Sequence, residues 1–126
     1  MRKMFFVLLA LCCAASLAFA GGKQDADLVK IGAVFPLSGQ VAFYGNESRD
    51  GALLAIEEIN AAGGLLGKKL TLISEDDEGD GAKSVNAFTK LVTRDKVSFI
   101  LGSSTSGATM AMTSLAQQNK VILNSP

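Results

Sequence analysis

The hydrophobic pattern of this chain switches back and forth between two periods, and that alternation limits the folds open to it. "VKIGAVF" at 29–35 is apolar and β-branched and stops at Pro36, as a strand entering a loop does. From about Asn46 the period lengthens: Ala52, Ala55, Ile56 and Ile59 fall at i, i+3, i+4 and i+7, one face of a helix. Asn46 is the expected N-cap, with Glu47 and Asp50 suited to the positive helix end, and the glycines of "NAAGG" close the helix. "KLTLIS" (69–74) alternates as a strand, and the acid and turn residues of "EDDEGDG" (75–81) end it. Val85, Phe88, Leu91 and Val92 mark a second amphipathic helix, with Lys90, Arg94 and Lys96 toward its negative end. "VSFIL" (97–101) has the character of a buried strand, "TMAMTSLAQQ" (109–118) of a third helix and "VILN" (121–124) of a fourth strand.

Strands that alternate with helices in this order pair in parallel through right-handed crossovers. The expected fold class is therefore α/β, a doubly wound parallel sheet. Pro126 follows the fourth strand at once, although a parallel sheet needs cover on both faces. The expectation is a sheet truncated after its fourth strand.

The first twenty residues stand apart. "MRK" is basic, "MFFVLLALCCAASL" is apolar, and "AFA" before Gly21 has the small residues a signal peptidase reads. Residues 1–20 are thus expected to be a signal peptide, 21–28 a flexible lead-in and 29–126 the folded part, exported to the periplasm or the cell exterior. Cys12 and Cys13 both fall in the leader. Leu11 and Cys12 are poor small residues ahead of a lipidated cysteine, so apolar leader positions are preferred over lipid anchoring. Without the leader, which carries Arg2 and Lys3, acids outnumber bases by two. No basic patch for nucleic acid remains. The chain has no histidine, which removes histidine acid–base catalysis and most zinc sites.

Several motifs fail on spacing. "GGLLGKKL" (63–70) has too few residues between its glycines for a phosphate loop and runs from helix into strand, the wrong direction. "EDDEGD" (75–80) lacks EF-hand spacing and is expected to be a solvated acidic turn. "NES" (46–48) is a glycosylation sequon that helix capping explains as well. "GSSTSG" (102–107) has Ser106 where a nucleophile elbow needs glycine, and no histidine exists to activate a serine.

What remains for "GSSTSG" is recognition of an anion without charge. In open α/β sheets ligands sit beyond the carboxyl ends of the strands. There the third helix begins, with unpaired amides and a positive dipole end, and Ser104, Thr105 and Ser106 add hydroxyls. Such a nest suits a carboxylate, above all one on a zwitterion that carries its own ammonium. An ordinary N-cap rich in Ser and Thr fits the same loop.

"IGAVFPLSG", "YG" at 44–45, "GALLAIEEINAAGGLLGKKL", the "DD" turn, and "ILGSSTS" ahead of "VILNSP" together resemble the N-terminal lobe of the leucine/isoleucine/valine-type periplasmic solute-binding proteins of ABC transporters. The resemblance runs from about Val29 to Pro126. It implies a type I periplasmic-binding-protein-like lobe and a non-catalytic role: capture of a branched-chain amino acid or similar small polar solute for ABC permease membrane subunits. It further implies a monomer with no cofactor, no metal and no nucleic-acid partner. On this likeness Ser106 grips the α-carboxylate, Ser104, Thr105 and Gly107 shape the nest, Tyr44 walls the side-chain pocket and Ser38 lines the cleft. Some members carry a staple between two turns, at the positions where Gly79 and Thr105 stand here, so no staple is expected. A ligand-sensing receptor ectodomain of the same fold is the alternative.

Overall fold

A computed structural model describes residues 28–126. The expected leader, and the lead-in up to residue 27, lie outside the described residues; Leu28 already opens the first strand. The elements are β1 (Leu28–Phe35), α1 (Ala42–Ala61), β2 (Lys69–Asp76), α2 (Gly81–Thr93), β3 (Phe99–Gly102), α3 (Ser106–Asn119) and β4 (Ile122–Asn124). All strands are parallel, in the order β2-β1-β3-β4. β1 is central, paired with β2 from Leu28–Lys69 through Phe35–Asp76.

The chain leaves β1 toward β2 by α1 and then returns across the sheet by α2 and α3. Right-handed crossovers therefore place α1 on one face and the other two helices on the opposite one. α2 and α3 pack together, and Val34, Phe88, Leu91, Ile100 and Met112 form the core beneath them. α1 lies against β1 and β2. Only Ile56 of its expected apolar face is buried; Ala52 is half-buried, and Ala55 and Ile59 are exposed. The reason is that, among the described residues, α1 has no helical neighbour on its side, so only the stripe turned to the sheet is covered. On that face Phe99 and Leu101 of β3 are half-buried and Ile122 of β4 is exposed.

Helix starts differ from expectation. α1 begins at Ala42 behind Val41, which makes no side-chain cap, so Asn46 is not an N-cap and Glu47 and Asp50 are not in the first turn. The Asn46 amide instead donates to Leu37 O at 3.2 Å and Ala42 O at 2.8 Å, tying the new helix to the loop before it. Half-buried, and with its amide nitrogen engaged in this way, it is a poor glycosylation acceptor. Gly45 lets this happen: a Cβ there would lie 2.0 Å from Pro36 O. α3 begins at Ser106, three residues earlier than the apolar pattern implies.

Candidate functional site

The direction of winding reverses at β1, whose neighbours are β2 on one side and β3 on the other. In such sheets the crevice beyond the strand ends lies at this reversal. The turns leaving β1 and β3 flank it. β3 can pass this close to β1 because residue 102 is glycine: its φ is +132°, and a Cβ would sit 2.0 Å from Val34 O.

The turn from β3 into α3 is held by hydroxyls. Ser103 N donates to Thr109 Oγ1 at 2.9 Å, and the Thr109 hydroxyl faces Ser103 O at 3.0 Å and Thr105 O at 3.1 Å. Ser125, just past β4, donates its hydroxyl to Ser103 O at 3.0 Å. Ser104 Oγ lies 3.1 Å from Ser48 Oγ on α1, which in turn donates to Tyr44 O at 2.8 Å. A chain of hydroxyls thus links α1, the turn and the end of β4.

The N-terminus of α3 is open. Thr105 is its N-cap in an extended conformation, φ −122° and ψ 134°, yet its side chain makes no capping bond. The first amide to close a helical turn is Thr109 N, to Thr105 O at 3.0 Å, so the amides of Ser106, Gly107 and Ala108 precede the helical ladder. Ser106 and Gly107 are exposed, and a Cβ on Gly107 would meet nothing within 4 Å. The hydroxyl oxygens of Ser103 and Thr105 are buried and have no protein partner. This end of the helix offers donors and no negative charge.

Ser38 and Tyr44 come from the β1–α1 side. The Ser38 hydroxyl is donated to Asp76 Oδ2 at 2.6 Å, so its proton is committed. Tyr44 stands exposed in the first turn of α1, edge-on to Phe43 with ring centroids 5.8 Å apart. Ser104, Thr105, Ser106 and Gly107 are contiguous at the β3–α3 turn, and the Ser48 hydroxyl connects that turn to the turn of α1 bearing Tyr44.

The acidic turn after β2 is solvated, as the sequence implies, at Asp76, Glu78 and Asp80, but not at its centre. Asp77 is fully buried, accepting from Gly79 N at 2.8 Å and Ser84 Oγ at 3.0 Å. Asp80 caps α2 by accepting from Lys83 N at 2.9 Å. Asp76 Oδ1 accepts from Leu37 N at 2.8 Å, Glu78 N at 2.9 Å and Ser38 N at 3.3 Å. Slight desolvation of Asp76 acts to raise its pKa, but the Ser38 hydroxyl and the amides of Glu78, Leu37 and Ser38 together hold it below 3.8. Lys83 pairs with Glu78 at 2.6 Å and Lys90 with Glu75. A surface concavity beside this turn is lined by Glu75, Asp76, Lys83, Asn86, Ala87 and Lys90, none of them from the β3–α3 turn. Among the described residues no group of three or more His, Cys, Asp or Glu gathers to hold a metal. The two turns do approach each other: a Cβ on Gly79 would lie 3.7 Å from Thr105 Cγ2, which puts the two staple positions side by side.

Sequence reasoning missed Ser48, Ser103, Thr109 and Ser125. Ser103 and Thr109 lie six residues apart across the turn, a spacing belonging to no strand or helix period, and Ser48 and Ser125 join them only through the tertiary fold.

An open parallel sheet with unpaired donors at its carboxyl edge has the architecture of a ligand-binding lobe. The family model described as periplasmic binding protein matches residues 28–126, and the chain belongs to that family. It is 40% identical over 112 residues to the Leu/Ile/Val-binding protein BraC3 of Rhizobium johnstonii, covering 89% of this chain and 30% of the relative. Among solved structures it is similar to the branched-chain amino acid transporter substrate binding protein LivJ of Streptococcus pneumoniae in complex with isoleucine. That match has 43% identity and a TM-score of 0.76, over 79% of this chain and 28% of the other. A solute binding protein of an ABC transporter from Rhodopseudomonas palustris, in complex with 3,4-dihydroxy benzoic acid, matches at 27% identity and a TM-score of 0.71, over 79% and 28%. The chain thus spans less than a third of the length of these relatives.

Proposed function

We propose that this lobe grips the carboxylate of a branched-chain-type amino acid, or of a similar small solute, for an ABC importer. The observation that carries the reading is the open N-terminus of α3, where amides and the Ser106 hydroxyl gather with no side-chain cap and no acidic residue in the helix's first turn. A helix N-terminus with unpaired donors favours an anion. The solutes bound by the Streptococcus and Rhodopseudomonas relatives, isoleucine and 3,4-dihydroxy benzoic acid, have a carboxylate in common and little else. That shared group is the one such a site takes.

In this reading Ser106 supplies amide and hydroxyl to the carboxylate, and Gly107 leaves it room. Ser104 and Thr105 shape the turn, Tyr44 walls the apolar part of the solute, and Ser38 borders the cleft. The greater length of the relatives accommodates a second lobe that closes over the solute. The loaded, monomeric protein then docks on permease membrane subunits from the periplasmic or outer side.

The test is an NMR titration of the chain with millimolar L-leucine. Ser106→Ala should weaken binding by about 1–3 kcal/mol, the usual effect of losing a hydrogen bond to a charged group. Unchanged affinity removes Ser106 from the role.

A further inference from the structure

The Thr109 hydroxyl sits where three segments meet, one turn inside α3, and reaches the proposed solute site only through the carbonyl of Thr105. Its bond to Thr105 O is an ordinary back-bond to the carbonyl four residues earlier, which threonines in helices often make. The remaining contacts go beyond the helix. Ser103 is 1% exposed, and its amide proton goes to Thr109 Oγ1. Ser103 O receives the Ser125 hydroxyl, and Ser125 Oγ lies 3.4 Å from Thr109 Oγ1. Three residues, 103–105, are all that separate β3 from α3, and this one hydroxyl engages the first and the last of them. Ser104, the middle one, is held from the other side by Ser48.

We infer that Thr109 is a positioning residue: its hydroxyl fixes the 103–105 turn and so aims the amides of Ser106, Gly107 and Ala108 at the solute carboxylate. The inference rests on the carboxylate-binding reading above. Replacing the hydroxyl by a methyl leaves the buried Ser103 amide without an acceptor, and the turn must rotate to find another. The aim of the three amides is lost while the helix itself survives, because Thr109 N still closes its first turn on Thr105 O.

The test is a 1H–15N titration of the chain with L-leucine, following the amides of residues 106–108 in the wild type, Thr109→Val, Thr109→Ser and Ser125→Ala. In Thr109→Val the Kd for L-leucine should rise about tenfold, the size of effect one hydrogen bond carries. Thr109→Ser, which restores the hydroxyl, should return it to within about twofold of wild type. Ser125→Ala removes one strut from Ser103 O and should raise Kd about threefold, and it decides the matter if Thr109→Val fails to fold. Wild-type affinity in both Thr109→Val and Ser125→Ala overturns the positioning role and leaves the carboxylate reading standing. Equal weakening in Thr109→Val and Thr109→Ser also overturns it, since the hydroxyl is then not the cause. If L-leucine moves other amides but not those of 106–108 in the wild type, the carboxylate reading falls and the role of Thr109 falls with it.

Discussion

Two turns leave the same edge of the sheet, and they solve the same problem in opposite ways. Each passes from a strand into a helix, whose first amides lack helical partners. The turn after β2 carries its own carboxylates: Asp80 caps α2, while Asp77 is buried beneath the turn and takes the Gly79 amide and the Ser84 hydroxyl. The turn after β3 has no acid, and its N-cap, Thr105, makes no side-chain capping bond. One turn is capped from within by its own acids; the other is built from donors and left open. The contrast teaches where a foreign carboxylate belongs, because a turn holding its own anion repels another.

Transplanting the acid should have the largest effect. Thr105→Asp gives α3 a carboxylate of its own, and like charges at a binding site oppose each other by several kcal/mol. L-leucine binding should weaken by about 2–3 kcal/mol in an NMR titration, while the thermal midpoint holds or rises because aspartate is a strong N-cap. Removing the plug from the acid-capped turn comes next. Asp77→Ala leaves the Gly79 amide without its acceptor and the Ser84 hydroxyl with Asp80 O alone, and should lower unfolding stability by about 2 kcal/mol in a urea titration.

The caps themselves sharpen the comparison further. Asp80→Ala should destabilise by about 1 kcal/mol, the usual value of an N-cap, whereas Thr105→Ala should change stability by less than about 0.5 kcal/mol because no capping bond is lost. The smallest effect is one of pH. The folded pKa of Asp76 is depressed, so the stability it contributes is present above its unfolded value and is lost as pH falls through the lower, folded one. Acid unfolding curves should show this loss beginning near pH 3.8 and continuing below it, and Asp76→Asn should flatten it.

The strand and helix order was legible because the apolar period changes sharply at each boundary, as between "IGAVF" and Ile56 or between Leu91 and "VSFIL". Parallel pairing followed from that order. The start of α1 was not legible: a helix opening on Val41 has no polar cap to signal it, and Asn46, which looks like one, spends its amide on Leu37 O. The burial of Asp77 was hidden for a similar reason. A run of acids with glycine reads as a wet turn, and only the fold brings Ser84 beneath it. At the candidate site, the crowding of hydroxyls in "GSSTSG" drew attention to the turn now proposed to hold the carboxylate. Which of them are structural and which are open was decided by partners distant in sequence, Thr109, Ser125 and Ser48.

The most direct measurement is the crystal structure of this chain soaked with L-leucine, read for the position of the carboxylate. The account predicts both carboxylate oxygens at the N-terminus of α3, within about 2.7–3.0 Å of the Ser106 amide and hydroxyl. A leucine carboxylate bound at the acidic turn after β2, or anywhere away from residues 106–108, would contradict it.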